Sequence, residues 1–329
     1  MQNIDLCTSE PREEVIQLVN TKTYKNTRKA VLQESSYQNC INFKEIDLTD
    51  GCSIGCIYCG LSKHARSEQL DINDLLNSNK IPKGLYLSPN SDPFAHNAAE
   101  STHELLRYYL PKGVNISIIT KSIIPANTIS LLSKYYRQVI PQISLARMND
   151  ALNNYIEPGA ASANERIQNM EEMSVSGLKV RALAIPMYPG IDDTEDNLRT
   201  LLINFKKAGV SSLKAAFVLV RIGGKRKDEF ILNRMIKHPE LKNCLNKMTE
   251  TIKAHIGDGN VPEITYRKQF YCKVAEICKE YQLKFASCSV LDPALLDCET
   301  TGFPVCKSIW TFSKINKHTP IRKNNCYVI

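Results

Sequence analysis

Between residues 42 and 220, short apolar segments alternate with amphipathic ones, and this alternation constrains the fold more than any other feature. Asn42–Leu48, Gly84–Leu87, Asn115–Thr120, Val139–Ala146, Lys179–Pro186 and Ser212–Val220 read as six strands. Ser101–Leu110, Asn127–Tyr136, Ala163–Ser176 and Asp193–Ala208 repeat apolar residues at helical spacing. Ser101 and Glu104 stand three apart, the spacing of a capping box. Strands joined by helical crossovers imply a parallel sheet, built either as an incomplete barrel or as an open doubly wound sheet. In both architectures chemistry collects at the carboxyl ends of the strands.

Directly after the first strand, residues 50–60 read DGCSIGCIYCG. Cys52, Cys56 and Cys59 follow the spacing C-x3-C-x2-C. Three thiolates on one tight loop can hold three irons of a cubane [4Fe–4S] cluster and leave the fourth iron open. Gly51, Gly55 and Gly60 let the backbone curl around such a group. A structural zinc site needs a fourth ligand, for which His64 is the nearest histidine.

This segment resembles the signature of the radical S-adenosylmethionine superfamily, including Tyr58 before the last cysteine. The resemblance implies that the open iron chelates S-adenosylmethionine. An electron from the cluster then splits the carbon–sulfur bond, and a 5′-deoxyadenosyl radical abstracts hydrogen from a substrate. It extends over residues 42–220. LSPNSDPF at 87–94, ITKS at 119–122, QISL at 142–145, IEPG at 156–159 and AIPMYPGIDD at 184–193 look like the spore photoproduct lyase and DNA repair photolyase branch. By that match the fold is a partial (β/α)6 TIM-type barrel. Tyr58, Ser91, Asp92, Lys121 and Ser144 line the S-adenosylmethionine pocket, with Tyr58 near the adenine. Hydroxyls and a carboxylate suit the ribose and amino group, and a lysine suits the carboxylate. Glu157 and Arg166 fit either the pocket or a salt bridge. Spore photoproduct lyase carries a hydrogen-donating cysteine just before its Asn-Ser-Asp segment, whereas this chain has Ser88 and Pro89. Reversal of a thymine dimer is therefore not expected.

The chain divides into an N-terminal helical segment at 1–40, the barrel at 41–221 and a cysteine-containing C-terminal extension at 222–329. In the extension, Asp228–Ile256 and Gln269–Tyr281 read as helical and Leu283–Ala286 as a strand. The chain has 12 cysteines, and four of them, Cys288, Cys298, Cys306 and Cys326, lie in this tail. Without a secretory leader at Met1–Arg12, disulfides are not the expected use. Cys288, Cys298 and Cys306, with Cys326 as a fourth, are expected to bind an auxiliary iron–sulfur cluster; buried thiols or a zinc site are the alternatives. Cys278 falls on the apolar face of its helix and reads as buried. No apolar run reaches the roughly 18–20 residues of a membrane span, so a cytoplasmic protein without a membrane partner is expected.

The net charge is +8, with basic runs at Arg221–Lys227 and Lys314–Lys323. Such runs suit an anionic partner or a solvated face. The leading expectation is a radical enzyme modifying a small molecule, nucleotide or peptide, reduced by a flavodoxin or ferredoxin. A DNA- or RNA-acting repair-type lyase on the same scaffold is the second reading. A non-catalytic, metal-bearing nucleic-acid-binding module is the third.

Overall fold

The computed structural model describes residues 28–34, 43–59, 67–218, 232–250, 254–256, 259–288 and 305–306. Its strands in chain order are β1 (Gln33–Glu34), β2 (Lys44–Ile46), β3 (Thr49–Asp50), β4 (Glu68–Gln69), β5 (Gly84–Leu87), β6 (Asn115–Thr120), β7 (Val139–Ser144), β8 (Arg181–Met187), β9 (Ser212–Phe217), β10 (Ala254–Ile256), β11 (Gly259–Val261), β12 (Lys284–Cys288) and β13 (Val305–Cys306). The helices are α1 (Asn73–Leu76), α2 (Ala99–Tyr109), α3 (Ala126–Lys134), α4 (Asp150–Ile156), α5 (Ala163–Val175), α6 (Glu195–Lys207), α7 (Pro239–Glu250) and α8 (Ile264–Glu280).

Nine strands form one sheet in the order β1-β2-β5-β6-β7-β8-β9-β12-β13. All neighbours in it are parallel except the β1–β2 pair. Helical crossovers between successive parallel strands produce this arrangement. β1 and β13 are its two ends, so the sheet curves as a partial barrel and does not close. The six expected strands are all present, and the sheet gains β12 and β13 from beyond residue 222.

The two faces of the sheet differ, as the two-residue period of a strand requires. One face packs Leu85, Leu87, Ile116, Ile118, Ile143, Ala182, Leu213 and Phe285 against the helices. Leu105 and Leu106 of α2, Leu132 of α3, Met170 of α5, Leu201 and Phe205 of α6 and Val274 of α8 complete that core, all fully buried. Each such side chain contributes about 1.5–3 kcal/mol through burial. The opposite, concave face is largely polar: Tyr86, Ser117, Gln142, Ser144, Arg181, Ser212 and Lys214 are buried there. A smaller apolar cluster of Ile57, Leu152, Ile156, Tyr188, Val218, Leu241, Cys244 and Leu245 seats α7 over the carboxyl end of the strands.

Two local expectations are corrected. α2 begins at Ala99 with Ala98 at its N-cap, so Ser101 and Glu104 lie inside the helix and form no capping box. Ser101 instead accepts a hydrogen bond from Gln69 Nε2. The capping box of this fold belongs to Ser162 and Glu165 at the start of α5. The helical reading of 228–256 fails at its end, where β10 and β11 form an antiparallel hairpin; the Gly257-Asp258-Gly259 run there breaks a helix and favours a turn. No helix among the described residues is long and apolar enough to cross a membrane.

Candidate active site

The cysteine loop leaves β3 through Gly51 and turns again at Gly55, both in the left-handed region at φ 113° and 70°. Glycine reaches these angles without the clash a Cβ would cause. The Cys59 amide donates to the Cys56 carbonyl at 3.2 Å, closing the turn that holds the last two cysteines. The loop is clamped against the segment following α4. The Ile57 amide donates to Ile156 O at 2.9 Å, and the Gly159 amide to Ile54 O at 2.8 Å. A Cβ on Gly159 would lie 2.5 Å from the Ser53 carbonyl, so only glycine permits this approach. Ile54 and Ile57 are buried beneath the loop.

Cys52, Cys56 and Cys59 line one cavity of about 170 Å³ with Tyr58, Tyr86, Ser88, Pro89, Asn90, Ser91, Asp92, Thr120 and Lys121. The far wall is the turn after β5. Ser88 there has φ 50°, a strained conformation for a side-chain-bearing residue. The hydroxyls of Ser88 and Ser91 are buried, and neither has a hydrogen-bond partner among the described residues. Orphaned buried hydroxyls are uncommon and point to a missing partner. Asp92 serves a different need. Its carboxylate accepts from Thr120 Oγ1 at 2.7 Å, from the Lys121 amide at 2.7 Å and from the Phe94 amide at 2.9 Å. It thus ties the β5 turn to the end of β6 and sets the backbone that carries Lys121.

Lys121 Nζ lies 3.9 Å from Glu157 Oε1 and 5.9 Å from the centre of the Tyr58 ring. Glu157 also accepts from Tyr58 Oη at 2.9 Å and from Arg166 Nη1 at 3.0 Å. Burial acts to lower the Lys121 pKa, but Glu157, Cys56 and Asp92 together outweigh it, and the net shift is upward. Burial likewise acts to raise the Glu157 carboxyl, and Lys121, Arg166 and Arg147 reverse this to a net lowering. The pair is therefore ionised. Burial holds the Tyr58 phenol well above its ordinary pKa, so it stays a donor. Burial pushes the Cys56 thiol up to about 12, with Lys121 opposing; the Cys52 thiol is raised for the same chief reason. Thiolates at these positions require a cation to offset desolvation.

Of the residues singled out by sequence, Tyr58, Ser91, Asp92 and Lys121 meet the three cysteines in this cavity. Ser144 stands apart: it is not among the lining residues, and its hydroxyl donates to Ile185 O at 2.9 Å. Its carbonyl accepts from Arg166 Nη1 at 2.7 Å. Tyr86 and Ser88 were not anticipated as pocket residues. Inward strand alternation signals Tyr86, and nothing in the sequence signals the Ser88 backbone. Cys288 and Cys306 are register partners at the carboxyl ends of β12 and β13. His64, Cys298, Cys326, Arg221–Lys227 and Lys314–Lys323 lie outside the described residues.

A larger cavity of about 410 Å³ opens beside α7, lined by Arg147, Asn149, Asp192, Glu240, Asn243 and Cys244 among others. It shares no lining residue with the cysteine cavity. Its buried charges satisfy each other, Arg147 Nε donating to Asp192 Oδ1 at 2.7 Å and Nη2 to Oδ2 at 2.5 Å.

No family model matches the chain. It is 28% identical over 134 residues to an uncharacterized protein of Acidianus two-tailed virus, covering 40% of this chain and 44% of that protein. It is 24% identical over 194 residues to a "Radical SAM Nalpha-GlyT isomerase" of Pseudomonas phage M6, covering 54% and 40%. The chain thus spans less than half the length of these two relatives. Among solved structures, a variant of spore photoproduct lyase matches with a TM-score of 0.59 and 14% identity, over 79% of this chain and 80% of that one. The fold is therefore similar to that of spore photoproduct lyase, with a largely parallel, open sheet.

Proposed function

We propose that this chain is a radical S-adenosylmethionine enzyme, with Cys52, Cys56 and Cys59 as ligands of a [4Fe–4S] cluster. One observation carries the reading: three thiols, two buried hydroxyls without partners and a charged lysine converge on a single cavity at the carboxyl end of the sheet. The donor set suits the group. Three thiols match a cluster with one open iron. When bound, the cluster would supply the electron that splits S-adenosylmethionine into methionine and a hydrogen-abstracting 5′-deoxyadenosyl group, a flavodoxin or ferredoxin being the electron source.

The chain's own residues orient and enclose. Lys121, held charged by Glu157, would receive the S-adenosylmethionine carboxylate. Ser88 and Ser91 would bond its ribose or amino group. Tyr58, fixed by Glu157, would flank the adenine. Asp92 positions Lys121 through its backbone amide. The substrate is a small molecule, nucleotide or peptide. A nucleic-acid lyase is the second reading, favoured by the fold match to a protein whose structure holds a dinucleoside spore photoproduct. Ser88 and Pro89 at the cavity weigh against that reaction, since neither donates a hydrogen atom.

Reduced, reconstituted protein is expected to convert S-adenosylmethionine to 5′-deoxyadenosine or a substrate adduct. Lys121→Ala should weaken S-adenosylmethionine binding roughly 10–100-fold, the value of a hydrogen bond to a charged group. Calorimetric titration measures this, and unchanged affinity would remove Lys121 from the pocket.

An auxiliary iron–sulfur cluster on Cys288 and Cys306, with Cys298 and Cys326, belongs to the same proposal. The register seating Cys288 beside Cys306 supports it, because neighbouring strands lie only about 4.8 Å apart. Reconstituted protein should then carry about eight irons, falling to about four in the Cys288→Ala/Cys306→Ala double variant. An unchanged iron count sinks the second cluster.

A further inference from the structure

Charge is polarised along the strand direction of the sheet. Residues 77–83, 110–114, 134–138, 176–180 and 206–211 lead into the amino ends of the parallel strands β5 to β9. These five segments carry eight lysines and arginines, all exposed, and no aspartate or glutamate. At the other end, beside the cysteine cavity, residues 88–94, 121–125, 145–150 and 188–194 leave β5 to β8. They carry four aspartates against Lys121 and Arg147.

Helix dipoles account for part of the cationic end. Lys112, Lys134, Lys206 and Lys207 sit in last turns, where unpaired carbonyls favour a cation. Lys80, Lys83, Arg137 and Lys179 lie beyond those turns, and none makes an ion pair with a described residue. Backbone hydrogen bonds set the segments side by side. The Asn115 amide donates to Lys83 O at 3.2 Å, the Ile116 amide to Gln138 O at 2.7 Å and the Ser211 amide to Val180 O at 2.9 Å. Four inter-strand steps from β5 to β9 then spread the cations over an arc of roughly 19 Å.

We infer that this end of the sheet, opposite the cysteine cavity, is a docking surface for the phosphate backbone of a nucleic acid. An arc of that length spans about five or six successive phosphates of one strand, whereas a small anion would meet one or two segments. A protein partner fits less well. Lysine is depleted from protein–protein interfaces, and their centres are apolar. The large apolar side chains exposed here, Ile81, Tyr136 and Val175, come one to a segment among the cations. Contacts of this kind carry no sequence information, so the surface holds the protein on nucleic acid without selecting a site. The inference does not depend on the radical-enzyme reading. It also differs from the nucleic-acid lyase reading, which puts the polymer at the cavity end.

The test is fluorescence anisotropy of full-length protein with a duplex DNA of arbitrary sequence, about 30 base pairs long, from about 50 to 200 mM salt. The triple variant Lys83→Ala/Arg137→Ala/Lys179→Ala should reduce the log–log salt slope by about 2–3 and weaken affinity at least about tenfold at the low-salt end. The charge-preserving triple Lys83→Arg/Arg137→Lys/Lys179→Arg should keep the parent slope, which separates charge from folding. Lys237→Ala/Lys242→Ala/Lys273→Ala removes the same charge from α7, the segment before it and α8, and should change the slope by less than about one. An unchanged slope in the first triple, or a larger loss in the last, overturns the inference. So does equal affinity for charge-matched polyglutamate or for phosphatidylserine vesicles, which would assign the surface to an acidic protein or a membrane. Cys56→Ala protein should bind the duplex as the parent does, so failure of the radical-enzyme reading registers separately.

Discussion

Cys56→Ala protein is expected to bind no stable [4Fe–4S] cluster and to lose 5′-deoxyadenosine formation by at least about a thousandfold, the scale of losing an essential group. Cys56 is 8% exposed and lies deeper than Cys52 or Cys59. A thiol so placed is poor at ionising alone; Lys121 and a hydrogen bond with Tyr58 favour its thiolate but do not outweigh burial. Removing it leaves two ligands on the loop. Iron analysis and chromatography of the reduced reaction read the two effects. Cys278→Ala is the matched control. Its thiol is also pushed up to about 12, but by burial alone, with no cation beside it. It sits on the core face of α8 and should keep iron and activity unchanged. A Cys56→Ala variant that retains cluster and cleavage would refute the site.

The contrast between these two cysteines shows what the sequence makes legible. Local spacing marks Cys52, Cys56 and Cys59 because all three ligands sit on one turn. The strands β5 and β6 match their expected bounds because a short apolar run between turn residues has one reading. α4 escaped notice because seven residues give barely two turns of periodicity. Glu157 was ambiguous between pocket and salt bridge for a different reason. Its bond to Tyr58 joins residues 99 apart, and its bond to Arg166 joins α5 to the loop after α4. Pairings of that range depend on how helices settle on the sheet, and spacing does not encode them.

Glu157→Ala should destabilise the fold by about 3–5 kcal/mol, the usual penalty for breaking a buried ion pair from one side. Arg166 is fully buried, and its charge partner among the described residues is Glu157. Its Nε and Nη2 atoms already lack hydrogen-bond partners among those residues, so alanine would leave Nη1 with the Ser144 carbonyl alone. Lys121 would lose its counter-ion in the same step. Urea unfolding measures the loss, and the double variant Glu157→Ala/Arg166→Met should recover most of it. The pH dependence supplies a second readout. The Glu157 carboxyl is held below its unfolded value of 4.5, so its contribution is full above that pH and disappears as pH falls through the lower folded value. Parent protein should lose that increment on the acid limb, and Glu157→Ala should lack it. A single variant costing less than about 1 kcal/mol would mean that water, not Glu157, stabilises Arg166. The clamp on Tyr58 and Lys121 would then have to come from elsewhere in the cavity.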